Sequence, residues 1–531
     1  MKVLFENLLF KNLIRHLKLI FKNLFFDTNE VLFLKYCNEK KFIKKKKNKN
    51  YILIQTVTDY YYLAYYKTLI SQNKFLDYEI IGLWPYFQRT VRKRFFFLEF
   101  VNEIYLYILD YIIFLKWKKL YKSIGITHIK RLNLSIFDRI NFYTKNINLD
   151  FFFKKKNFFD FEINKIKIGD LLYDTYLRFR AQPTFFRKDK LFINKLIFKS
   201  NIVILKLEKL YKKYKFEAFY TSYSSYIQHG LPVRFFLKKK INVFSGINNS
   251  QYNKKLSHDD VSHAESYFKF KNISKNIRNN ETFLSISEND LKLRFSDAEK
   301  KKNKMSYLSV NTYTSKEDEK FDVCLLNNLD GILFLQDFYD SPHDWGNLVF
   351  DDFYRWTVYT LHIIKKYNLR IAVKPHPNSW YISPDSILVY QRLKKKFSGI
   401  IWLDKDYPNK IIFKKIKFGI SCTGSVLFEL AFHGIKAISC GEHPGIDFNF
   451  TINAKSKSHY KSILLDISNM GLPEFSKNDL LIYNYLYRHM NMDAYDNIAR
   501  KIELKNIDFS KSNSLVKYIE KISKYKNDFK N

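Results

Sequence analysis

Cysteine is almost missing from this chain of 531 residues. The four present, Cys37, Cys324, Cys422 and Cys440, form no CxxC pair and no metal-ligand spacing. They exclude a disulfide framework and fit a reducing compartment. Twelve histidines are scattered without an HExxH pattern, so no zinc site is visible. No stretch reaches the ~18 uninterrupted apolar residues that a spanning helix needs. The nearest, Val101 to Trp117, is broken by Asn102, Glu103 and Asp110 and reads as a buried or surface-lying helix. Glycine and proline are scarce, while Lys, Asn, Ile, Phe and Tyr abound, as in a chain encoded by A- and T-rich sequence.

Acidic residues are also in short supply. Lys plus Arg number 91 against 52 Asp plus Glu, a net charge of +39. Such a field attracts nucleic acid, anionic lipid or a polyanionic substrate, although coding bias accounts for the lysine count equally well. No nucleic-acid module appears and the lysines are spread along the whole chain. A nucleic-acid partner is therefore not expected, and contact with an anionic membrane face is.

What is abundant is apolar surface. Hydrophobic residues make up 46% of the chain, enough for two or three domain cores and too much for a disordered protein. Residues 1–50 form a basic segment in which Phe5, Leu8, Leu9 and Leu13 alternate with Lys11, Arg15, Lys18 and Lys22. An interfacial amphipathic helix and a core helix with a solvated lysine side fit it equally. It lacks the apolar core and cleavage site of a signal peptide. Lys44 to Asn50 reads as a linker. Strand, helix and strand follow over Tyr51–Val57, Asp59–Gln72 and Tyr78–Leu83, a βαβ unit opening a parallel sheet. Phe95 to Tyr121 reads as one long helix, and Ile140 to Phe161 as an irregular insertion or loop. A helix over Asn201–Tyr211 and strands at Ala218–Ser222 and Ile241–Phe244 come next, with a turn signal at His229-Gly230-Leu231-Pro232 between the strands. Lys255 to Thr314 reads as an irregular polar region. From Gly331 onward, five strand–helix steps in a row predict a second doubly wound parallel sheet.

Ligands of such sheets bind beyond the C-terminal ends of the strands, and three marked segments fall there. In Lys374-Pro375-His376-Pro377 two prolines stiffen a strand exit that carries a cation and an imidazole, suited to phosphate binding or acid–base work. Thr423-Gly424-Ser425 opens a helix whose free N–H groups make an anion site. Glu429, four residues after Ser425, shares its helix face and is placed to accept hydrogen bonds from a ribose. Gly441-Glu442-His443-Pro444-Gly445 fits a ligand-facing loop and, nearly as well, a simple turn. Gln336-Asp337 and Asp344-Trp345 either line the same cleft or cap the next helix.

At these residues the chain resembles bacterial capsule polysaccharide biosynthesis proteins, which are GT-B glycosyltransferases, and is similar to the CDP-glycerol glycerophosphotransferases. The likeness rests on Val373-Lys-Pro-His-Pro377, Ser421-Cys-Thr-Gly-Ser-Val-Leu-Phe-Glu429, Gly434-Ile-Lys-Ala-Ile438, Ile168-Gly-Asp-Leu-Leu-Tyr-Asp-Thr-Tyr-Leu-Arg178 and Tyr226-Ile-Gln-His-Gly-Leu-Pro-Val-Arg234. It implies an α/β GT-B fold of two Rossmann-like doubly wound domains facing across a cleft. The acceptor-side domain would span 51–318, the nucleotide-sugar domain 319–505, and a helical tail 506–531. By that resemblance Lys374 and His376 contact the donor phosphates together with Thr423, Gly424 and Ser425. Glu429 contacts the ribose; His443, of the Gly441–Gly445 loop, is a further donor-site candidate from its position at a strand end. Asp170 and His229 are the catalytic candidates; for Asp170 a helix-capping role is an equal reading. A nucleotide-activated sugar is the expected substrate and a glycan or glycolipid the acceptor. No metal-binding Asp-x-Asp stands in the expected place, so neither a metal nor a resident cofactor is expected. A cytoplasmic enzyme at the inner face of the cytoplasmic membrane fits this reading. A polyol-phosphate transferase is the near alternative; a nucleic-acid-binding protein or a non-catalytic scaffold belongs to another class.

Overall fold

The computed structural model describes residues 20–39, 50–72, 75, 77–85, 96–138, 141, 158–186, 189–246, 253–263, 267–295, 321–377, 379, 385–473, 477–488, 509 and 511–523. The readings for residues 1–19, the linker 44–49 and most of the 140–161 insertion lie outside them.

Two compact units divide the chain. Unit 1 comprises Met1–Leu172, Leu191–His263 and Ala494–Asn531; unit 2 comprises Tyr173–Lys190 and Ala264–Asp493. These differ from the ranges read from sequence alternation, 51–318 and 319–505. Part of the region read as irregular consists of two helices, Phe270–Ile277 and Glu281–Arg294. Their buried Phe270, Ile277 and Leu291 pack with Leu480, Ile482 and Leu486 of helix Lys477–Arg488, which ties them to unit 2.

In unit 1, β1 (Asn50–Gln55), β2 (Glu79–Trp84), β3 (His128–Arg131), β6 (Lys215–Thr221), β7 (Asn242–Gly246) and β8 (Asn253–Leu256) form one sheet. Its order is β3-β2-β1-β6-β7-β8, parallel except for the β7–β8 pair. A separate hairpin, β4 (Glu162–Ile163) and β5 (Ile166–Lys167), interrupts the sequence. Leu53 lies between Ile81 and Phe219 in register, at the centre of the sheet. Helix α1 (Thr28–Glu39) belongs to this unit: Phe33 and Cys37 sit in the core with Tyr66, Trp117 and Tyr121. The helix Ser514–Ser523 joins the same core through Leu515 and Ile519. Asn29 Nδ2 donates to the carbonyls of Phe509 (2.8 Å) and Lys511 (2.6 Å), which hydrogen-bonds α1 to the residues just before helix Ser514–Ser523.

In unit 2, β9 (Gly331–Phe334), β10 (Ile371–Lys374), β11 (Phe418–Ile420), β12 (Lys436–Ser439) and β13 (Ile452–Asn453) run parallel in the order β10-β9-β11-β12-β13. Beyond β10, Trp402 adds a single parallel bridge to Val373 on the strand's outer side. Apolar runs make these strands because both faces are buried. Leu333, Val373 and Ile420 face a core with Trp356, Leu393 and Ile463. Ile332, Phe334 and Ala372 face another with Ile412, Leu427 and Leu430. Each buried Leu, Ile, Val or Phe among them contributes about 1.5–3 kcal/mol.

Counted within its own sheet, the unit-1 strand order is 3-2-1-4-5-6, and the five-stranded unit-2 sheet takes the same order once the Trp402 bridge is counted as its third strand. That is the doubly wound Rossmann order, in which the chain reverses direction across the sheet between strands 1 and 4. The fold class expected from sequence, two Rossmann-like α/β units, is therefore what the strand order shows. The switch points lie between β1 and β6 in unit 1 and between β9 and β11 in unit 2. Among the described residues, no helix is long and apolar enough to cross a membrane.

Candidate active-site residues at the two switch points

In unit 2 the loops leaving β9 and β11 meet at the switch point. Gln336 Nε2 donates to Ser421 Oγ at 2.8 Å. Gly424 is pressed against this pair: a Cβ there would lie 2.5 Å from Gln336 Nε2 and 2.8 Å from Ser421 Oγ. Glycine is required by that close approach. Ser425 follows at the N-cap of the seven-residue helix Val426–Phe432; it is exposed and its side chain makes no capping bond. Thr423 is packed against Gly441 of the β12 exit, where an added Cβ would meet its methyl at 2.9 Å.

The β10 exit is organised differently. Lys374 is buried, and its Nζ donates to Asn409 Oδ1 at 2.5 Å. Asn409 Nδ2 reaches Glu429 Oε2 at 3.4 Å. Lys374 and Glu429 thus face each other through Asn409 in a buried network. Burial pushes the Lys374 ammonium down to about 7, against the opposing pull of Glu429, Asp406 and Asp404. His376 is held neutral by burial, which lowers it to about 4 despite Asp340 nearby. Asp337, beside Gln336, is 4% exposed, and burial together with the Asp340 charge raises its carboxyl to about 8.

His443 turns inward. Its Nε2 lies 3.1 Å from Thr451 Oγ1 and 3.2 Å from Asn453 Oδ1, and its Nδ1 accepts from Gly445 N at 3.2 Å. Both ring nitrogens are engaged within its own loop region. Glu442 instead ties the β12 exit to the preceding loop, accepting from Asn347 N at 2.8 Å. His343 of that loop pairs with Asp174 at 2.6 Å.

In unit 1 the switch point carries His229. It sits in a five-residue π-helical turn, Tyr226–Gly230, that starts from a Tyr226 with φ of +59°, a backbone state costly for a bulky residue. Gly230 lets the turn close on the Ser224 carbonyl, which an added Cβ would meet at 2.3 Å. His229 Nδ1 is 3.0 Å from Gln55 Oε1, and Nε2 is 3.3 Å from Gln228 Nε2. Burial lowers its pKa to about 4. Ser224 Oγ contacts His263 Nδ1 at 3.0 Å, and Tyr223 lies against the His263 ring at 3.9 Å between centroids. Asp170 stands apart from this group. Its carboxylate is clamped by Arg234 at 2.6 and 2.5 Å, a bidentate ion pair.

No family model and no curated protein sequence matches the chain. Solved structures do show similarity. A UDP-GlcNAc 2-epimerase from Methanocaldococcus jannaschii matches 82% of this chain and 97% of its own, at 11% identity and a TM-score of 0.26. The beta Kdo 2,4 transferase KpsC of Thermosulfurimonas dismutans matches 51% of this chain and 80% of its own, at 13% identity and a TM-score of 0.31. A glycosyltransferase from Rickettsia africae matches 92% of this chain and all (100%) of its own, at 11% identity and a TM-score of 0.24. Likeness this distant carries no functional argument, and the assignment of chemistry rests on the two switch points.

The structure brings Thr423, Gly424 and Ser425 to the unit-2 switch point, beside Gln336 and Asp337, and His229 to that of unit 1. It places Lys374 and Glu429 beneath the surface, His443 inside its own loop, and Asp170 in an ion pair. Gln55, Ser224, His263 and Asn409 escaped the sequence reading, since none stands in a marked motif. The position of Gln55 as the last residue of the first strand was the available signal. Gly424→Ala is expected to break the Gln336–Ser421 bond and lower stability by about 1–3 kcal/mol. Adding Gln336→Ala removes the nearer of the two clashing atoms and should recover part of that loss in thermal unfolding.

Proposed function

We propose that this protein is a glycosyltransferase that takes a sugar from a nucleotide-activated donor and passes it to a surface, capsule-type glycan or lipid-linked acceptor. The observation that carries this is the unit-2 switch point. A glycine-mediated close approach, an exposed Ser425 hydroxyl and a helix start meet there at the C-terminal edge of a Rossmann-ordered sheet. Such an edge suits a nucleotide diphosphate or monophosphate. Ser425 and the backbone N–H groups would hydrogen-bond phosphate oxygens, and His376 would donate from one ring nitrogen. Lys374 and Glu429, held by Asn409, would support the loops from within. His229 of unit 1 would serve the acceptor hydroxyl. The resemblance of the Tyr226–Arg234 and Val373–Pro377 segments to capsule biosynthesis proteins supports the same reading. The +39 charge fits an enzyme working near an anionic membrane.

Calorimetric titration with UDP- and CMP-linked sugars tests the proposal. The wild type should bind at least one, and His376→Ala combined with Ser425→Ala should weaken that binding at least ~30-fold, as expected for two lost phosphate contacts. Undiminished binding by the double variant, or no binding of any nucleotide sugar by the wild type, would overturn it. CDP-glycerol in the same titration separates the polyol-phosphate reading, which the likeness to glycerophosphotransferases favours.

A further inference from the structure

The hydrogen bonds around Gln55 determine which nitrogen of His229 carries the proton. Gln55 Nε2 donates to the carbonyl of Gln228 at 3.2 Å. A carbonyl can only accept, so the amide nitrogen of Gln55 must lie on that side and Oε1 on the other. Oε1 then faces two groups: the Thr221 hydroxyl, 2.7 Å away, and His229 Nδ1, 3.0 Å away. An amide oxygen cannot donate, so Nδ1 must carry the hydrogen. The ring is neutral, its pKa lowered by burial to about 4, so Nε2 is left with the lone pair. Gln228 Nε2 sits 3.3 Å from that lone pair, a long bond in the place where an incoming hydroxyl could replace it.

We propose that Gln55 is the positioning residue of the unit-1 site, fixing His229 as the Nδ1–H tautomer so that Nε2 accepts the proton side of an acceptor hydroxyl. The inference rests on the glycosyl-transfer reading for its chemistry but not for its geometry. When the acceptor oxygen bonds to the sugar and the donor's glycosyl–phosphate bond breaks, the hydroxyl proton passes to Nε2 and the bond electrons leave with the phosphate. Gln55 is buried at the end of the central strand, so its amide is immobile and costs no reorganisation during the step. The titratable groups around His229 are Tyr223, at 6.0 Å between ring centroids, and His263, which senses its charge. Beyond them lies the Lys254–Asp260 pair. His263 is neutral as well, lowered by burial to about 3.

The test uses the full chain labelled with 15N-histidine. Nitrogen chemical shifts should show His229 with a protonated Nδ1 and a bare Nε2. Gln55→Met removes the acceptor and should yield a tautomer mixture, with kcat down ~10–100-fold and KM nearly unchanged, the range of a misaligned acid–base group. Gln55→Glu keeps an acceptor beside Nδ1 and should restore the tautomer, at a cost in thermal stability because the Gln228 carbonyl loses its donor. Its negative charge should also raise the acid limb of the pH–kcat profile by a unit or more. A protonated Nε2 in the wild type would overturn the inference, whatever the activity. So would a Gln55→Met variant that loses thermal stability but keeps its kcat and tautomer. The observed tautomer combined with no transfer from any nucleotide sugar would instead sink the glycosyl-transfer reading and, with it, the role given to Nε2.

Discussion

Replacing Lys374 with methionine is expected to cost the chain about 1–3 kcal/mol, because it takes the donor away from the buried Asn409 Oδ1. The network is small and enclosed: Lys374 Nζ on Asn409 Oδ1, Asn409 Nδ2 on Glu429, both ionisable residues at or below 5% exposure. Without the Lys374 donor, Asn409 Oδ1 is left unsatisfied in a medium that solvates it poorly. Removing both should cost far less. Lys374→Met with Glu429→Gln keeps a hydrogen-bond acceptor for Asn409 and buries no charge, so most of the lost stability should return. Denaturant unfolding of the four members of this cycle measures the coupling. A double variant as unstable as Lys374→Met alone would show that the two residues do not act as a pair. Lys374 also predicts a pH dependence. Its folded pKa, about 7, is below its ordinary value of 10.5. Between those limits the unfolded chain binds the extra proton, so stability should rise with pH by up to about 1.4 kcal/mol per unit. Lys374→Met should lack this rise.

Asp337→Asn is expected to stabilise the chain, and increasingly so as pH is raised from 4 to 8. The Asp337 carboxyl is buried, its Oδ2 has no hydrogen-bond partner among the described residues, and its pKa is raised to about 8 by burial first and by Asp340 second. An acid with a raised folded pKa holds a proton that the unfolded chain releases. Stability is therefore lost as pH rises from about 4, and the loss levels off near 8. The accumulated cost is on the order of 4 kcal/mol at pH 7. Asparagine has no proton to lose and should remove the slope while keeping the shape. Thermal unfolding at pH 4.5 and pH 8 decides the matter: equal shifts at both would mean that Asp337 is not protonated in the fold. Of these two groups, Asp337 dominates below pH 7 and Lys374 above pH 8, with opposite slopes.

Much of the architecture was legible in the chain. The apolar runs at 51–57, 331–337 and 369–373 overlap the buried strands β1, β9 and β10, because a parallel sheet covered on both faces demands continuous apolar stretches. The long helix appeared at Phe96–Ser123. Less legible were the helices at Phe270–Ile277 and Glu281–Arg294, whose polar faces hid a narrow apolar stripe that helix Lys477–Arg488 covers together with Phe428 and Phe448. Helix α1 was equally hidden: it lies in a segment read as basic and amphipathic, while Phe33 and Cys37 enter a core completed by the distant helix Ser514–Ser523.

The site divides in the same way. Sequence by itself determined that Thr423-Gly424-Ser425, Lys374-Pro375-His376-Pro377 and His229-Gly230 stand at chain turns between strands and helices, since glycine, proline and apolar periodicity are local properties. Tertiary structure alone decided which side chains meet there. It turned Lys374 and Glu429 towards Asn409, closed His443 onto Thr451 and Asn453, gave Asp170 to Arg234, and brought Gln55 to His229 from 174 positions away. The reason is that a buried polar group must find a partner wherever packing supplies one, and that choice depends on side-chain direction across the sheet, which spacing along the chain does not encode.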